Sequence, residues 1–107
     1  MNSCTDECLE CFKVCNDCAY NCCLGKESHE KCLKICTECS EICNLCAKEC
    51  ITNGELTSQT LSLCIEACHA CAKECEKYND EMCQKCAKEC RKCADECEKE
   101  MISSESN

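Results

Sequence analysis

The chain of 107 residues has no proline, no tryptophan and only two glycines, which argues against a loop-rich scaffold. Large aliphatic side chains are also scarce. Leu, Ile, Val and Phe together supply 14 residues. That is about 13% of the chain, below the roughly 20% that a conventional folded domain contains. A chain of this composition folds only if another residue type forms most of its core.

Three further absences exclude whole classes of function. No apolar run reaches 18 residues, so no segment is expected to cross a membrane. The first residues, Met1 to Glu7, lack the basic and apolar regions of a signal peptide. Lys and Arg number 12 against 21 Asp and Glu, which argues against a nucleic-acid partner. We therefore expect a cytoplasmic protein that binds neither membranes nor nucleic acid.

Cysteine is the residue type in excess, with 22 of the 107 residues. This count allows either a disulfide scaffold or a thiolate metal site. Disulfide scaffolds are typical of exported, loop-rich chains. Here the other abundant residues, Ala, Glu, Lys and Leu, favour helices. The composition therefore favours reduced thiols carried on helices.

The spacing of the cysteines predicts the architecture. In four runs, successive cysteines are alternately three and four residues apart, as on the inward stripe of a helix in a bundle, whereas a strand would need steps of two. The runs are Cys4, Cys8, Cys11, Cys15, Cys18 and Cys22; Cys32, Cys36, Cys39, Cys43, Cys46 and Cys50; Cys64, Cys68, Cys71 and Cys75; and Cys83, Cys86, Cys90, Cys93 and Cys97. Cys23 alone lies off the stripe.

Four such stripes predict an all-α fold, an antiparallel up-down-up-down four-helix bundle with a cysteine-lined core. Gly25 and the pair Asn53-Gly54 mark the ends of the first two helices. We expect one domain over residues 1–107, with helices at about 3–24, 28–52, 57–77 and 80–101.

So large a number of thiols on one face of each helix indicates metal binding. Cysteine also packs as a small hydrophobe, and neutral thiols would let the bundle fold without metal. Leu or Ile would bury more area, so stability alone does not account for 21 thiols on one stripe. Thiolates select Cu(I), Zn(II) or Fe–S clusters. Fe–S clusters need space for an inorganic core, which a packed helical lumen lacks.

Charge separates the two remaining metals. About five Zn(II) ions in Cys4 sites would leave roughly ten uncompensated negative charges among twenty buried thiolates. About one Cu(I) per thiolate leaves the lumen nearly neutral. The sequence therefore predicts roughly 20 Cu(I) ions per chain, bound by all 22 cysteines, with Zn(II) as the second choice.

The two ends of the predicted bundle differ. One end, which we call the mouth, is expected to admit Cu(I) with His29 and Met82 as additional ligands. The mouth comprises Cys22, Cys23, His29, Tyr78, Met82 and Cys83. Alternatives stay open: Met82 as an apolar cover, His29 as a capping or surface residue, and Cys23 as a surface thiol.

At the other end, the far end, Thr57 and Leu61 stand on the third stripe where cysteines would continue it. Further apolar residues should gather beside them. An apolar plug is therefore expected at this end, formed by Leu61 with Ile51, Leu56, Met101 and Ile102.

The pattern resembles the bacterial four-helix-bundle copper storage proteins (Csp), in particular their cytosolic branch. The resemblance covers nearly the whole chain and is closest from Leu63 to Cys97, LCIEACHACAKECEKYNDEMCQKCAKECRKCADEC. It implies storage of many Cu(I) ions in the lumen, a homo-oligomer that is commonly a tetramer, and access through one open end. Cytosolic relatives have a histidine-rich stretch before the fourth helix, whereas residues 76–82 here contain no histidine.

The leading functional hypothesis is copper storage and detoxification by a binding protein that is not an enzyme. A copper chaperone or a small thiol would supply the ions. The second hypothesis is a metallothionein-like buffer for Zn(II) or Cd(II). The third is a thiol redox protein, although redox CxxC pairs usually lie at a helix N-terminus and the pairs here lie mid-helix.

Overall fold

The computed structural model describes residues 3–105, and the ends of the expected 1–107 domain, residues 1–2 and 106–107, lie outside it. Within residues 3–105 there are four α-helices and no strand, which confirms the predicted all-α class. The helices are α1 (Ser3–Cys18), α2 (Glu30–Thr52), α3 (Thr57–Cys75) and α4 (Glu81–Glu105). A π-helical turn, Ala19–Cys23, follows α1, and a 3-10 turn, Glu27–His29, precedes α2.

The four helices form a closed ring of neighbours. α1 packs against α2 and α4, and α3 packs against the same two helices. Cys4 at the start of α1 lies 3.5 Å from Cys97 near the end of α4, and Cys18 at the end of α1 lies 3.8 Å from Cys83 at the start of α4. The bundle is therefore antiparallel and up-down-up-down, as predicted, with dimensions of 46 × 20 × 18 Å.

The core consists of thiols and small side chains. Of the 22 cysteines, all within the described residues, 21 are buried and Cys50 is partly exposed. Ala and one Val flank the stripes inside the bundle, and Leu61 is the largest fully buried side chain in the part of the chain described. Cysteine therefore fills the core positions that leucine and isoleucine occupy in other bundles.

The π-helical turn after α1 explains the off-stripe cysteine. The Leu24 amide donates a 2.8 Å hydrogen bond to the Ala19 carbonyl, five residues earlier, so the turn contains one residue more than an α-turn. The extra residue brings both Cys22 and Cys23 into the interior, where Cys23 is fully buried. This burial excludes a surface thiol at Cys23. Gly25 then leaves the helix with a φ of 86°, in the region that glycine adopts without a steric penalty.

The connection between α2 and α3 is short and held by hydrogen bonds. Asn53 caps the C-terminus in the left-handed conformation, with a φ of 53°. The Glu49 side chain then accepts a hydrogen bond from the Leu56 amide at 3.0 Å, which holds the turn into α3. Among the described helices, none is long and apolar enough to traverse a lipid bilayer.

Candidate metal centre

The interior of the bundle is a continuous array of sulfur atoms. Neighbouring Sγ atoms lie 3.5–4.0 Å apart, both along one helix and between helices. Some contacts cross the lumen diagonally, as between Cys36 on α2 and Cys86 on α4 at 4.0 Å. A tetrahedral ion with metal–sulfur bonds of 2.3 Å spaces its sulfurs by about 3.8 Å. The thiols therefore already lie at the spacing that a shared metal ion requires.

The thiols form groups of four that share members. In each group the four Sγ atoms lie within 4.8 Å of one another. Five of these groups are Cys4, Cys8, Cys46 and Cys97; Cys8, Cys64, Cys93 and Cys97; Cys11, Cys15, Cys39 and Cys90; Cys11, Cys39, Cys43 and Cys68; and Cys15, Cys71, Cys86 and Cys90. Because one cysteine serves two or more groups, the groups cannot all be filled as separate four-thiolate sites. The arrangement suits ions that share sulfurs with their neighbours.

Burial disfavours the charged form of the lumen thiols until a metal arrives. Burial raises the pKa of Cys23 to about 12, and burial also raises the pKa of Cys83 and Cys50. Deeper in the bundle, hydrogen bonds with Cys11 and other thiols act with burial to raise the pKa of Cys43. A cation in the lumen would reverse this preference, because it stabilises the thiolate directly.

Little in the interior offsets a negative charge. Apart from cysteine, the buried ionisable side chains in the described part of the chain are His29 and Glu74. The Glu74 carboxylate is already paired with two lysines: it lies 3.0 Å from Lys77 Nζ and 3.8 Å from Lys31 Nζ. A filled lumen can therefore stay near neutrality only if each thiolate is matched by about one positive charge from the metal.

At the mouth, the Asp80 side chain connects three groups. Its Oδ1 lies 2.8 Å from His29 Nε2, and its Oδ2 accepts hydrogen bonds from Lys26 Nζ at 3.3 Å and Cys22 Sγ at 3.5 Å. The hydrogen bond with His29, followed by those with Lys26 and Cys22, lowers the pKa of Asp80 to about 2. Lys26 Nζ also lies 3.8 Å from Cys22 Sγ. Cys22 is therefore the one mouth thiol in contact with both a carboxylate and an ammonium group.

His29 lies at the mouth, but both of its ring nitrogens have partners. Nε2 faces Asp80, and Nδ1 lies 2.8 Å from the hydroxyl of Ser28. The ring stacks on Tyr78 with centroids 4.2 Å apart, and the Tyr78 hydroxyl donates a 2.9 Å hydrogen bond to Glu74. In this arrangement His29 packs over the sulfur array as part of its rim.

The other expected mouth residues lie nearby. Cys18 Sγ is 3.9 Å from Cys23 and 3.8 Å from Cys83, and Cys22 is 3.8 Å from Cys83. Met82 is partly buried against the core. The structure thus brings the mouth cysteines together, and Met82 lies at the start of α4, one residue before Cys83.

The amino-acid sequence also matches a known protein family whose members store copper. Residues 1–102 match the model of the copper storage protein family, Csp. This chain belongs to the copper storage protein family. The family and the thiol-lined lumen together confirm the copper-storage function predicted from the sequence.

Two solved structures of copper storage protein 3 from Bacillus subtilis resemble this member of the Csp family. The Cu(I)-bound form has a TM-score of 0.85 and 34% sequence identity, and the match covers 91% of this chain and 93% of the other. The apo form has a TM-score of 0.86 and 33% identity, covering 92% and 96%. No curated protein sequence matches the chain significantly.

The far end of this Csp bundle differs from the sequence-based expectation. Leu61 is 1% exposed and Met101 is partly buried, as expected of a plug. The prediction is wrong for Ile51, Leu56 and Ile102, which are 55%, 60% and 66% exposed. These three positions are close to the stripe along the sequence, but each lies in the last turn of a helix or in the connection to α3, where the other helices no longer cover it.

Sequence reasoning missed Asp80 and Lys26 as mouth residues. Spacing along the chain does not predict that Asp80 contacts Cys22 or His29. The available signal was its position one residue before α4, within the segment that brings Tyr78 and Met82 to the mouth. Lys26 lies in the connection between Gly25 and α2. Outside a regular helix, sequence spacing does not predict the direction of its side chain.

Proposed function

We propose that this member of the Csp family stores Cu(I) at about one ion per lumen thiolate, or roughly 20 ions per chain. The overlapping groups of four thiols carry this proposal, because independent four-thiolate sites would need cysteines that are not shared. The lack of a compensating cation among the buried residues described supports a monovalent ion. Sequestration of that many ions would also protect the cell from free copper.

The metal proposal is tested by anaerobic titration of the apo protein with Cu(I) and, separately, with Zn(II), each against a chelator of known affinity. We expect Cu(I) uptake to continue to roughly 20 equivalents, with every cysteine protected from alkylation at saturation. Tight binding of about five Zn(II), with Cu(I) only replacing them one for one, would establish the Zn(II) or Cd(II) buffer instead.

The mouth is proposed as the point of Cu(I) uptake, with Cys22 as the first thiol to receive an ion. Cys22 is 8% exposed, and its Sγ donates a hydrogen bond to the Asp80 carboxylate; its proton passes to solvent as a copper–sulfur bond forms. His29 shares the Asp80 carboxylate with Cys22, and Met82 immediately precedes Cys83, whose Sγ lies 3.8 Å from that of Cys22. The Met82 thioether suits Cu(I), while His29 needs to leave Asp80 or Ser28 before it binds.

The double variant His29→Ala with Met82→Ala tests the mouth. We expect slower Cu(I) loading in stopped-flow measurements and a capacity close to that of the wild type. His69→Ala provides the matched control, because His69 is an exposed histidine on the side of the bundle, 3.2 Å from Glu98. Loading of the double variant at the rate of this control would contradict a role for His29 and Met82.

We further propose that the protein works in the cytosol as a homo-oligomer, a tetramer by family resemblance, loaded by a copper chaperone or a small thiol. The array of 22 free thiols supports a reducing compartment, where such thiols persist. Exposed Leu45 and Leu63 on the outer faces of α2 and α3, each about half exposed, offer apolar surface for a second copy. Native mass spectrometry of apo and loaded protein would show whether a monomer or an oligomer carries the copper.

A further inference from the structure

The cysteine that solvent reaches most readily lies at the far end, away from the mouth. Cys50, in the last turn of α2, is the one cysteine of the 22 that is only partly buried. The next most exposed is Cys22 at the mouth, at 8%, and Cys4 follows at 2%. The far end therefore offers a more accessible thiol than the proposed point of uptake.

Cys50 is connected to the array inside. Cys46 lies four residues before it on α2, one helical turn away, so the two thiols are neighbours on the same face. Burial, followed by Cys4 and Cys46, raises the pKa of Cys50. Cys4 and Cys46 belong in turn to the group of four at this end, with Cys8 and Cys97. An ion bound at Cys50 is thus one step from a buried group of four thiols.

The cover over this end is thin. Of the apolar residues near it, only Leu61 is fully buried and Met101 is partly buried. A cavity at the surface is lined by Leu61, Met101 and Thr57, together with residues 53–55 and Ser58 of the α2–α3 connection. Met101 is partly exposed here, and a thioether is a soft ligand that suits Cu(I).

We infer that the far end is a second port for Cu(I), in which Cys50 is the outermost ligand and Met101, at the same end of the bundle, offers a second soft donor. The inference rests on the proposed Cu(I) storage. As an ion passes from a donor to Cys50 and Cys4, each new copper–sulfur bond replaces an S–H bond, the proton goes to solvent, and copper stays in the +1 state. The mouth is closed by Asp80, His29 and Tyr78, whereas Leu61 and Met101 lie over the far end.

The port is tested with the variant Cys50→Ser with Met101→Leu, compared with Cys22→Ser and with a variant carrying all three substitutions. Rates of Cu(I) loading, and of removal by a high-affinity chelator, are followed by stopped flow. We expect the far-end variant to slow both processes at least about two-fold, with a loss of no more than roughly one ion of capacity, because one thiol is removed. The triple variant should be slower than either parent.

A second experiment tests the accessibility of the port in the unsubstituted chain. Brief treatment of the apo protein with a limiting amount of N-ethylmaleimide, followed by peptide mass mapping, should label Cys50 before Cys22. Circular dichroism of each variant checks that the bundle is folded.

The outcomes separate the two proposals. Wild-type rates in the far-end variant, with normal capacity, would overturn the port and leave storage intact. Labelling of Cys22 well before Cys50 would also overturn the port. Failure of the wild-type chain to take up Cu(I) would overturn storage itself, and the port with it.

Discussion

Asp80 Oδ1 lies 2.8 Å from His29 Nε2, and this contact joins the turn before α2 to the residue before α4. The two residues are 51 positions apart in the chain. Each also has a second partner at the mouth: Asp80 binds Lys26 and Cys22, and His29 stacks on Tyr78. The connections that close this end of the bundle are thus held by side chains rather than by backbone hydrogen bonds between them.

The first prediction concerns Asp80→Asn. The pKa of Asp80 is lowered from 3.8 to about 2, so its ionised contacts stabilise the fold above about pH 4 and are lost as the pH falls through 2. We expect the variant to unfold at lower urea concentration than the wild type at pH 6. The difference should shrink towards zero by about pH 2. Asp95→Asn, at an exposed carboxylate on α4, should show no such pH-dependent difference.

A pair of carboxyl groups lies between α1 and α4. Glu7 and Glu89 interact through their side chains, and within the described residues neither buried Oε2 atom has a hydrogen-bond partner. Burial, followed by the contact with Glu7, raises the pKa of Glu89 from 4.5 to about 8. A single proton shared by the pair would satisfy both oxygens.

The second prediction follows from this pair. The stabilising contribution of protonated Glu89 is fully present below pH 4.5 and is lost as the pH rises through about 8. Glu89→Gln removes the dependence, so the variant should gain about 1 kcal/mol over the wild type between pH 6 and pH 9, after allowance for solvent screening. Urea denaturation across this range measures it. Glu81→Gln is the control, because Glu81 is an exposed glutamate that lines the same surface groove between α1 and α4 as Glu89. An equal gain in that variant would contradict the assignment.

The third prediction concerns Leu61, the largest fully buried side chain described. Leu61→Ala should lower the free energy of unfolding of the apo protein by about 2–4 kcal/mol, because it removes buried surface and leaves a cavity. It should also speed the removal of Cu(I) by a chelator, since Leu61 covers the far end. Leu56→Ala, at an exposed leucine in the connection before α3, should alter neither quantity by much. A small stability loss at Leu61 would mean that the plug is not packed as described.

The fourth prediction is the number of protons released on loading. Burial raises the pKa of lumen cysteines such as Cys23 and Cys83, so a thiol there must lose its proton when it binds a metal ion. With Cu(I) we expect about one proton per ion, against about four for Zn(II) in a four-thiolate site. Titration in weak buffer with a pH electrode gives the ratio directly. A ratio near four for Cu(I) would contradict the sharing of sulfurs between ions.

The cysteine stripe alone predicted most of the fold, because among regular secondary structures only an α-helix places residues spaced 3.5 apart on one face. It placed Cys39 and Cys90 in the interior without any knowledge of their neighbours. The stripe could not place Cys23, since the π-helical turn that brings it inside departs from the α-helical spacing on which the stripe depends. It could not predict the partners of His29 either, since Asp80 is distant along the chain.

Composition and spacing by themselves therefore determined the helical class, the inward direction of 21 thiols and the preference for a soft monovalent metal. Tertiary structure decided which thiols share a group of four, which charged groups close the mouth, and how little covers Cys50 at the far end. The physical reason is that periodicity fixes the direction of a side chain from its own helix. Exposure at a helix end depends instead on the neighbouring helices and connections, and their paths follow from contacts between residues far apart in the sequence.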